Sequence, residues 1–261
     1  MKQRVITAVI ALLLFIPIVL AGGVWIDWAV AIFATVGISE IFLMKKRILV
    51  SVDFVLAWLA TMTLAVPNSF FSWLPKHMSN YNVYFIFIML LLVWTVLSKN
   101  KVNFDDVGVY TVASLYIGAG FHYMAAIRNA PDGLALLGYV FVVVWTTDIA
   151  AYSFGRKIGK HKLWPVISPN KTWEGSIAGV ICAVILAAIY APLVQLHSTP
   201  LVIAAFFLSI VGQIGDLVES AYKRYYGVKD SGKILPGHGG ILDRFDSMLF
   251  VLPTVALLGV L

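Results

Sequence analysis

Residues 220–246 read SAYKRYYGVKDSGKILPGHGGILDRFD, a stretch rich in charge and glycine. It lies between two stretches, 199–221 and 242–261, that are apolar enough to cross a bilayer. Charged groups at a membrane boundary are costly to place and are usually functional. The basic side chains of this stretch suit phosphates, and its aspartates suit a divalent cation. The stretch therefore predicts chemistry on a phosphorylated substrate at a membrane surface.

Composition indicates an all-α integral membrane protein. Hydrophobic residues make up 61% of the chain and charged residues 12%, against about 25% charged residues in a soluble domain.

The first apolar run, 5–20, has no cleavage motif, so we interpret it as a retained span. The single cysteine, Cys182, excludes an intrachain disulfide and is expected to pack in an apolar run. The sequence has no tail rich in Lys and Arg and no basic patch interleaved with aromatic residues on a soluble domain, so nucleic acid is not an expected partner.

About nine transmembrane helices are predicted, since a span needs roughly 20 mostly apolar residues. The candidate spans are 5–21, 25–44, 50–66, 82–98, 107–127, 134–154, 174–193, 199–221 and 242–261. We expect one polytopic domain, 1–261. Within it, 1–106 forms the N-terminal helices and 107–261 the catalytic helices, with cytoplasmic segments at 155–173 and 222–241.

The distribution of basic residues predicts the orientation. With the N-terminus in the cytoplasm, 17 of the 19 lysines and arginines lie on the inner side, as the positive-inside rule requires. Only Lys76 and Arg128 fall outside. The C-terminus is then periplasmic, and both long polar segments face the cytoplasm, where nucleotides are available.

Two predicted helix ends carry carboxylates at helical spacing. Asp216, Glu219, Ser220 and Lys223 line one face at the end of the eighth span, and Asp243 and Asp246 line one face at the start of the ninth. Three clustered aspartates (216, 243 and 246) repel one another unless a cation neutralises them, and oxygen ligands suit Mg²⁺. The alternative is a set of solvated charges paired with Arg224 and Arg244.

The loop between these helices contains Pro236-Gly237-His238-Gly239-Gly240. Consecutive free N–H groups in such a loop can form an anion-binding nest, although glycine-rich loops are common. His238 is a proton shuttle, a donor to phosphate or a structural hydrogen-bonding group, and the sequence leaves these three roles open.

In the other polar segment, Ser168 followed by Pro169 predicts a helix N-cap with proline at the first helical position. The helix start would offer Asn170, Lys171 and Thr172 to an anion. The basic residues preceding it serve either a phosphate or lipid headgroups. These are Arg156, Lys157, Lys160 and Lys162.

Asp148 lies inside the sixth span, where an ionisable group is a functional candidate, with structural pairing to a neighbouring helix as the alternative. Glu40 and Asp53 flank the basic turn at 45–47, and we expect them to balance its charge.

Two regions resemble the phosphatidate cytidylyltransferase (CDP-diacylglycerol synthase) family. The first has the pattern S-x-x-K-R-x4-K-D, a short spacer and H-G-G-x-x-D-R-x-D, in which every fixed position is present. Those positions are Ser220, Lys223, Arg224, Lys229, Asp230, His238, Gly239, Gly240, Asp243, Arg244 and Asp246. The second region runs from Asp148 to Gly175 and includes the segment SPNKTWEG, 168–175.

The resemblance implies transfer of the cytidylyl group of CTP to phosphatidate, with release of pyrophosphate, Mg²⁺ as cofactor and a second cation such as K⁺. It also implies a homodimer in a bacterial inner membrane. On this basis we expect Lys223, Arg224, Asp243, Arg244, Asp246 and His238 to be catalytic. We expect Asp148, Ser168, Asn170, Lys171, Thr172, Ser220 and Lys229 to bind substrate, and Asp216, Asp243 and Asp246 to bind metal.

Two other functions remain as alternatives. A CTP-dependent lipid kinase acting on a polyprenol or diacylglycerol would also need CTP and Mg²⁺ beside lipid, but its nucleotide product is CDP. A transporter would distribute ionisable groups near the midplane of several spans, whereas here they gather at one predicted face.

Overall fold

A computed structural model describes residues 2–72, 75 and 78–260; Lys76 lies outside these residues. Within them the chain forms nine α-helices and one short antiparallel hairpin. The helices are α1 (Lys2–Ala21), α2 (Val24–Met44), α3 (Val52–Ala65), α4 (Asn80–Leu97), α5 (Phe104–Asn129), α6 (Gly133–Ile158), α7 (Trp173–Leu193), α8 (Ser198–Tyr225) and α9 (Leu242–Leu257). The strands are β1 (Lys162–Trp164) and β2 (Ser168–Thr172), and a 3₁₀ turn covers Asn68–Phe71.

The predicted helical membrane fold is confirmed, and each predicted span coincides with one helix. Five helices (α2, α4, α6, α7 and α8) are long and apolar enough to cross a membrane. Helix α9 ends at Leu257, four residues before the predicted end of its span. The sidedness of the two termini stays a prediction.

The predicted N-cap at Ser168 is wrong. Ser168–Thr172 is strand β2, which pairs with β1 in an antiparallel register that places Lys162 opposite Thr172. Helix α7 begins at Trp173, and the Thr172 side chain caps it by accepting a hydrogen bond from the Gly175 N–H at 3.2 Å. A Ser-Pro pair fits an edge strand as well as a first helical turn. Here the segment is a strand because it pairs with β1.

Contacts divide the described chain into two compact units. The first unit comprises Met1–Ala126 with Asp230–Arg244, and the second comprises Ile127–Lys229 with Phe245–Leu261.

In the first unit, aromatic and small residues build the helix contacts. The Phe42 ring of α2 stacks on the Tyr110 ring of α5 with centroids 4.2 Å apart. On α5, a Cβ at Gly118 would lie 2.9 Å from the Thr61 carbonyl oxygen of α3. Only glycine therefore permits this approach of the two backbones.

The basic turn after α2 is balanced by Asp106 rather than by Glu40. Asp106 contacts Lys45 Nζ at 2.7 Å and Arg47 Nη2 at 2.6 Å. Burial opposes the charge of Asp106, but the Lys45 hydrogen bond and the nearby cations prevail and lower its pKa. The Glu40 carboxylate makes its contacts elsewhere, with the segment 231–242.

In the second unit, α7 packs against both α6 and α8, and small residues line its buried face. Its buried positions recur every four residues, at Gly175, Gly179, Ala183, Ala187 and Ala191. Isoleucines at the same spacing, from Ile177 to Ile189, are about half exposed on another face. Small residues allow close helix approach in lipid, so this sequence pattern fixes which face of α7 meets protein and which meets the membrane.

Candidate active site

The hairpin before α7 is held in place at the end of α6. Gly159 follows α6, and a Cβ there would lie 2.6 Å from Thr172 Oγ1. At the other side of the hairpin, His161 Nδ1 lies 2.6 Å from Glu174 Oε1, and the His161 N–H donates to the same carboxylate. These contacts fix β2, and with it Lys171, relative to α6 and α7.

Lys171, in one of the two family regions, contacts Asp216, which lies one helical turn before the other region. Its Nζ lies 2.7 Å from Asp216 Oδ2, with the two side chains 26% and 28% exposed. Ser220, one helical turn further along α8, donates from its hydroxyl to Asp216 Oδ1 at 3.3 Å. A half-open ion pair of this kind keeps both partners accessible to a ligand.

Asp148 and Asp246 complete a carboxylate cluster around this pair. Asp148 of α6 is within electrostatic range of Asp246, Asp216 and Lys171. Asp246 of α9 is likewise near Asp216, and its Oδ1 accepts the Ser247 N–H at 2.7 Å. Three helices and β2 thus contribute to one group of opposite charges within the second unit.

A second ion pair lies one turn along α8. Lys223 Nζ contacts Glu219 Oε2 at 2.7 Å, and the two side chains are 11% and 0% exposed. Asp246 also interacts with both groups. Since Lys223 neutralises a fully buried carboxylate, it has a structural role that the sequence analysis did not assign.

The remaining predicted substrate residues differ in accessibility. Arg224, Lys229, Arg244 and Asn170 are exposed, and Ser168 is half-buried. Arg224 Nη1 donates to the Val228 carbonyl beyond the end of α8 at 3.0 Å. Thr172 is buried and caps α7, which gives it a positioning contact rather than an open surface.

In the first unit, the Asp243 carboxylate accepts hydrogen bonds from the loop that precedes it. Its Oδ2 accepts the Ser231 N–H at 2.7 Å, the Ser231 hydroxyl at 2.9 Å and the Gly240 N–H at 2.7 Å. One oxygen with three donors is saturated. Asp243 therefore ties the start of the loop to its end.

One N–H group of the predicted anion nest, that of Gly240, is bound within the protein, since it donates to Asp243 Oδ2. The next two N–H groups along the chain are bound to Glu40: Oε1 accepts the Ile241 N–H at 2.8 Å, and Oε2 accepts the Leu242 N–H at 2.9 Å. Three successive donors therefore face internal carboxylates, and anion binding by the rest of the glycine-rich loop stays a prediction.

His238 lies in the same loop and is half-buried. Its backbone N–H donates to the Leu235 carbonyl, and the Leu235 N–H donates to the Gly239 carbonyl. Its ring Nδ1 is buried without a hydrogen-bond partner among the described residues. The three roles left open by the sequence remain open.

Among the described residues, no group of three or more His, Cys, Asp or Glu side chains is arranged as a ready metal site. The carboxylate oxygens of Asp148, Asp216 and Asp246 are nevertheless the donor type that Mg²⁺ prefers. Lys171 supplies the positive charge beside Asp216.

The helices and the charged cluster define a polytopic membrane protein with a site suited to phosphorylated ligands. The sequence matches the Cytidylyltransferase family over residues 2–261, and the chain belongs to that family. It is 47% identical to a phosphatidate cytidylyltransferase of Staphylococcus haemolyticus, over 99% of this chain and 98% of the relative. It is 45% identical to a phosphatidate cytidylyltransferase of Bacillus subtilis, over 97% and 95%. A phosphatidate cytidylyltransferase of Staphylococcus epidermidis is 43% identical, over 99% and 98%.

Family membership confirms the resemblance and makes the chain a nucleotidyltransferase. The names of the relatives do not favour the CTP-dependent lipid kinase. The residue roles stay predictions, and the geometry above indicates which of them the fold supports.

Proposed function

We propose that this protein transfers the cytidylyl group of CTP to phosphatidate and forms CDP-diacylglycerol and pyrophosphate. The observation that carries the proposal is the 2.7 Å contact between Lys171 and Asp216. Because Ser220 donates to the same Asp216 carboxylate, this contact links the two family regions through Asp216. The resulting cluster carries charges of both signs, as a site for two polyanionic substrates requires. The relatives' names supply the substrates.

The reaction needs no nucleophilic side chain. An ionised phosphate oxygen of phosphatidate attacks the α-phosphorus of CTP, and the bond from that phosphorus to the bridging oxygen breaks as pyrophosphate leaves. Catalysis of such a transfer depends on positioning and charge neutralisation. We assign Lys171 with Ser168 and Asn170 to the nucleotide, and Lys223 with the exposed arginines Arg224 and Arg244 to phosphates. Thr172 acts through its cap, and Lys229 offers a further exposed cation.

We propose Asp216 and Asp246 as ligands of Mg²⁺, with Asp148 beside them. The bound cation would neutralise developing charge on the phosphates. Three neighbouring carboxylates repel one another without a cation, and their oxygens fit this ion. The role of K⁺ as second cation and the metal role predicted for Asp243 from the sequence stay predictions, and the three hydrogen bonds on Asp243 Oδ2 favour a role in holding the loop.

The decisive assay uses purified protein, phosphatidate and CTP labelled at the α-phosphorus. We expect label in the lipid product and release of pyrophosphate, both dependent on Mg²⁺. Release of labelled CDP, with no label in lipid, would instead identify a lipid kinase. Asp246→Asn is the matched inactive control, since it preserves size and removes one charge.

We also propose a cytoplasmic active site in a bacterial inner membrane, and a homodimer. The split of basic residues supports the orientation. In a Cys182→Ala background, single cysteines at the exposed positions Lys160 and Lys233 should react only from the cytoplasmic side, and one at His197 only from outside. The reverse pattern would overturn the orientation. Chemical cross-linking in native membranes tests the dimer, which a monomer-only result would exclude.

A further inference from the structure

Glu40 lies in the middle of the N-terminal region, yet its carboxylate contacts the family motif. It is 2% exposed on α2, and its oxygens accept from Ser231 Oγ, the Ile241 N–H and the Leu242 N–H at 2.8–2.9 Å. We propose that Glu40 is a positioning residue for the nucleotidyl transfer. It acts by holding the loop 231–242 in its active conformation, and this inference rests on the proposed function.

The close packing of backbone around Glu40 shows that this contact is specific. A Cβ at Gly232 would lie 2.7 Å from Glu40 Oε1, and a Cβ at Gly240 would collide with the same oxygen and with Ser231 Oγ. Both glycines are therefore needed for the carboxylate to reach the backbone N–H groups. Gly240 of the motif, together with Gly232, thus accommodates the Glu40 carboxylate.

Ser231 couples Glu40 to Asp243. Its hydroxyl oxygen lies 2.9 Å from Glu40 Oε2 and 2.9 Å from Asp243 Oδ2. A hydroxyl carries one proton, so the two buried carboxylates share this donor, and each has its own backbone donors as well. The loop is thus held at both ends by one polar network.

The network lies in a loop that carries Lys233 and the predicted catalytic residue His238. Arg244, which the proposed function assigns to phosphates, follows directly after Asp243. None of these side chains contacts Glu40 in the hydrogen bonds above. Glu40 therefore acts through backbone conformation, and loss of its carboxylate should misplace several basic groups at once.

The experiment compares Glu40→Gln with wild type and with Asp106→Asn, which changes another buried carboxylate of the same unit. The Glu40 substitution turns one acceptor oxygen into a donor NH₂ facing backbone donors. Hydrogen exchange of peptides covering 231–242, followed by mass spectrometry, should be at least about tenfold faster in Glu40→Gln. The value of kcat/KM per folded enzyme should fall at least about tenfold. Asp106→Asn should change neither quantity, although it unfolds at lower temperature.

The coupling through Ser231 gives a readout that a general loss of stability would not give. Glu40→Gln combined with Ser231→Ala should cost less activity than the product of the single losses, because both changes break the same network. If Glu40→Gln fails to fold, Glu40→Asp, which keeps the charge but is one methylene shorter, replaces it.

Unchanged exchange at 231–242 in the Glu40 variant would overturn the inference, as would equal effects from Asp106→Asn. Fast exchange with undiminished kcat/KM would also overturn it. If wild type makes no CDP-diacylglycerol, the proposed function fails, while the exchange measurement still decides whether Glu40 holds the loop.

Discussion

Two aspartates three residues apart on α9 lie in contrasting surroundings. Asp243, in the first unit, accepts three hydrogen bonds on one oxygen and is 9% exposed. Asp246, in the second unit, is half-buried near Asp216 and Asp148. The first carboxylate is satisfied by backbone N–H groups, and the second faces other carboxylates. Two carboxylates of one sequence motif can therefore have different roles, and the contacts of each carboxylate indicate which role it has.

The largest expected effect on activity is at the carboxylate cluster of the second unit. Asp246→Asn and Asp216→Asn should each lower kcat/KM about a hundredfold or more, which corresponds to about 2.7 kcal/mol, and should raise the Mg²⁺ concentration giving half-maximal activity. Thermal stability should stay equal or increase, because each change removes repulsion between like charges. Activity against Mg²⁺ concentration, with melting curves, checks this. Near-normal activity with the same Mg²⁺ midpoint would refute the assignment.

The largest expected effect on stability is at the buried ion pair Glu219–Lys223 on α8. Lys223→Met leaves the fully buried Glu219 without its cation, and removing one partner of a buried ion pair typically costs about 3–5 kcal/mol of unfolding free energy. Denaturant unfolding in detergent measures this loss. Adding Glu219→Gln should restore much of the stability but not the activity.

Arg224→Met is the matched control, since this neighbouring side chain is exposed. It should change unfolding free energy by less than about 1 kcal/mol. If Lys223→Met is equally harmless to stability, the pair has no structural role.

Asp243→Asn separates the two aspartates directly. It should destabilise the loop by about 1–3 kcal/mol, the usual cost of leaving a buried polar group unsatisfied, and accelerate hydrogen exchange at 231–242. The Mg²⁺ midpoint should match wild type, unlike that of Asp246→Asn. A raised midpoint with normal loop exchange would instead assign Asp243 to the metal.

The smallest effect concerns Asp106, which is paired with Lys45 and Arg47. Its folded pKa lies below the ordinary value of 3.8, so its carboxylate stabilises the protein above that value. This contribution is lost as pH falls through 3.8 toward the lower folded pKa. Asp106→Asn should cost about 1–2 kcal/mol at pH 7 and flatten the acid limb of the stability curve. Parallel pH dependence in variant and wild type would contradict this.

Much of the fold could be predicted because apolar length determines membrane helices. Each span prediction falls on a helix, and the bounds differ by at most a few residues. The hairpin at 162–172 was missed, because Ser168-Pro169 suits a helix start locally and only pairing with Lys162–Trp164 selects a strand.

The sequence identified the residues of the candidate site but not how they group in space. Asp216, Lys171, Asp148 and Asp246 were all identified as candidates, since charge inside or beside a span is costly and visible in sequence. Their grouping was not determined by the spacing, and the Lys171–Asp216 contact joins elements 45 positions apart. Glu40 was assigned to the neighbouring basic turn because only local charge balance was visible.

The sequence by itself determined the helices, the membrane setting and the residue types of the site, because periodicity, hydropathy and charge act locally along the chain. Only the tertiary structure decided which carboxylate meets which partner. A buried carboxylate must be satisfied wherever the fold brings donors to it. For Glu40 those donors lie about 200 residues away, at Ser231, Ile241 and Leu242, a distance that no sequence spacing encodes.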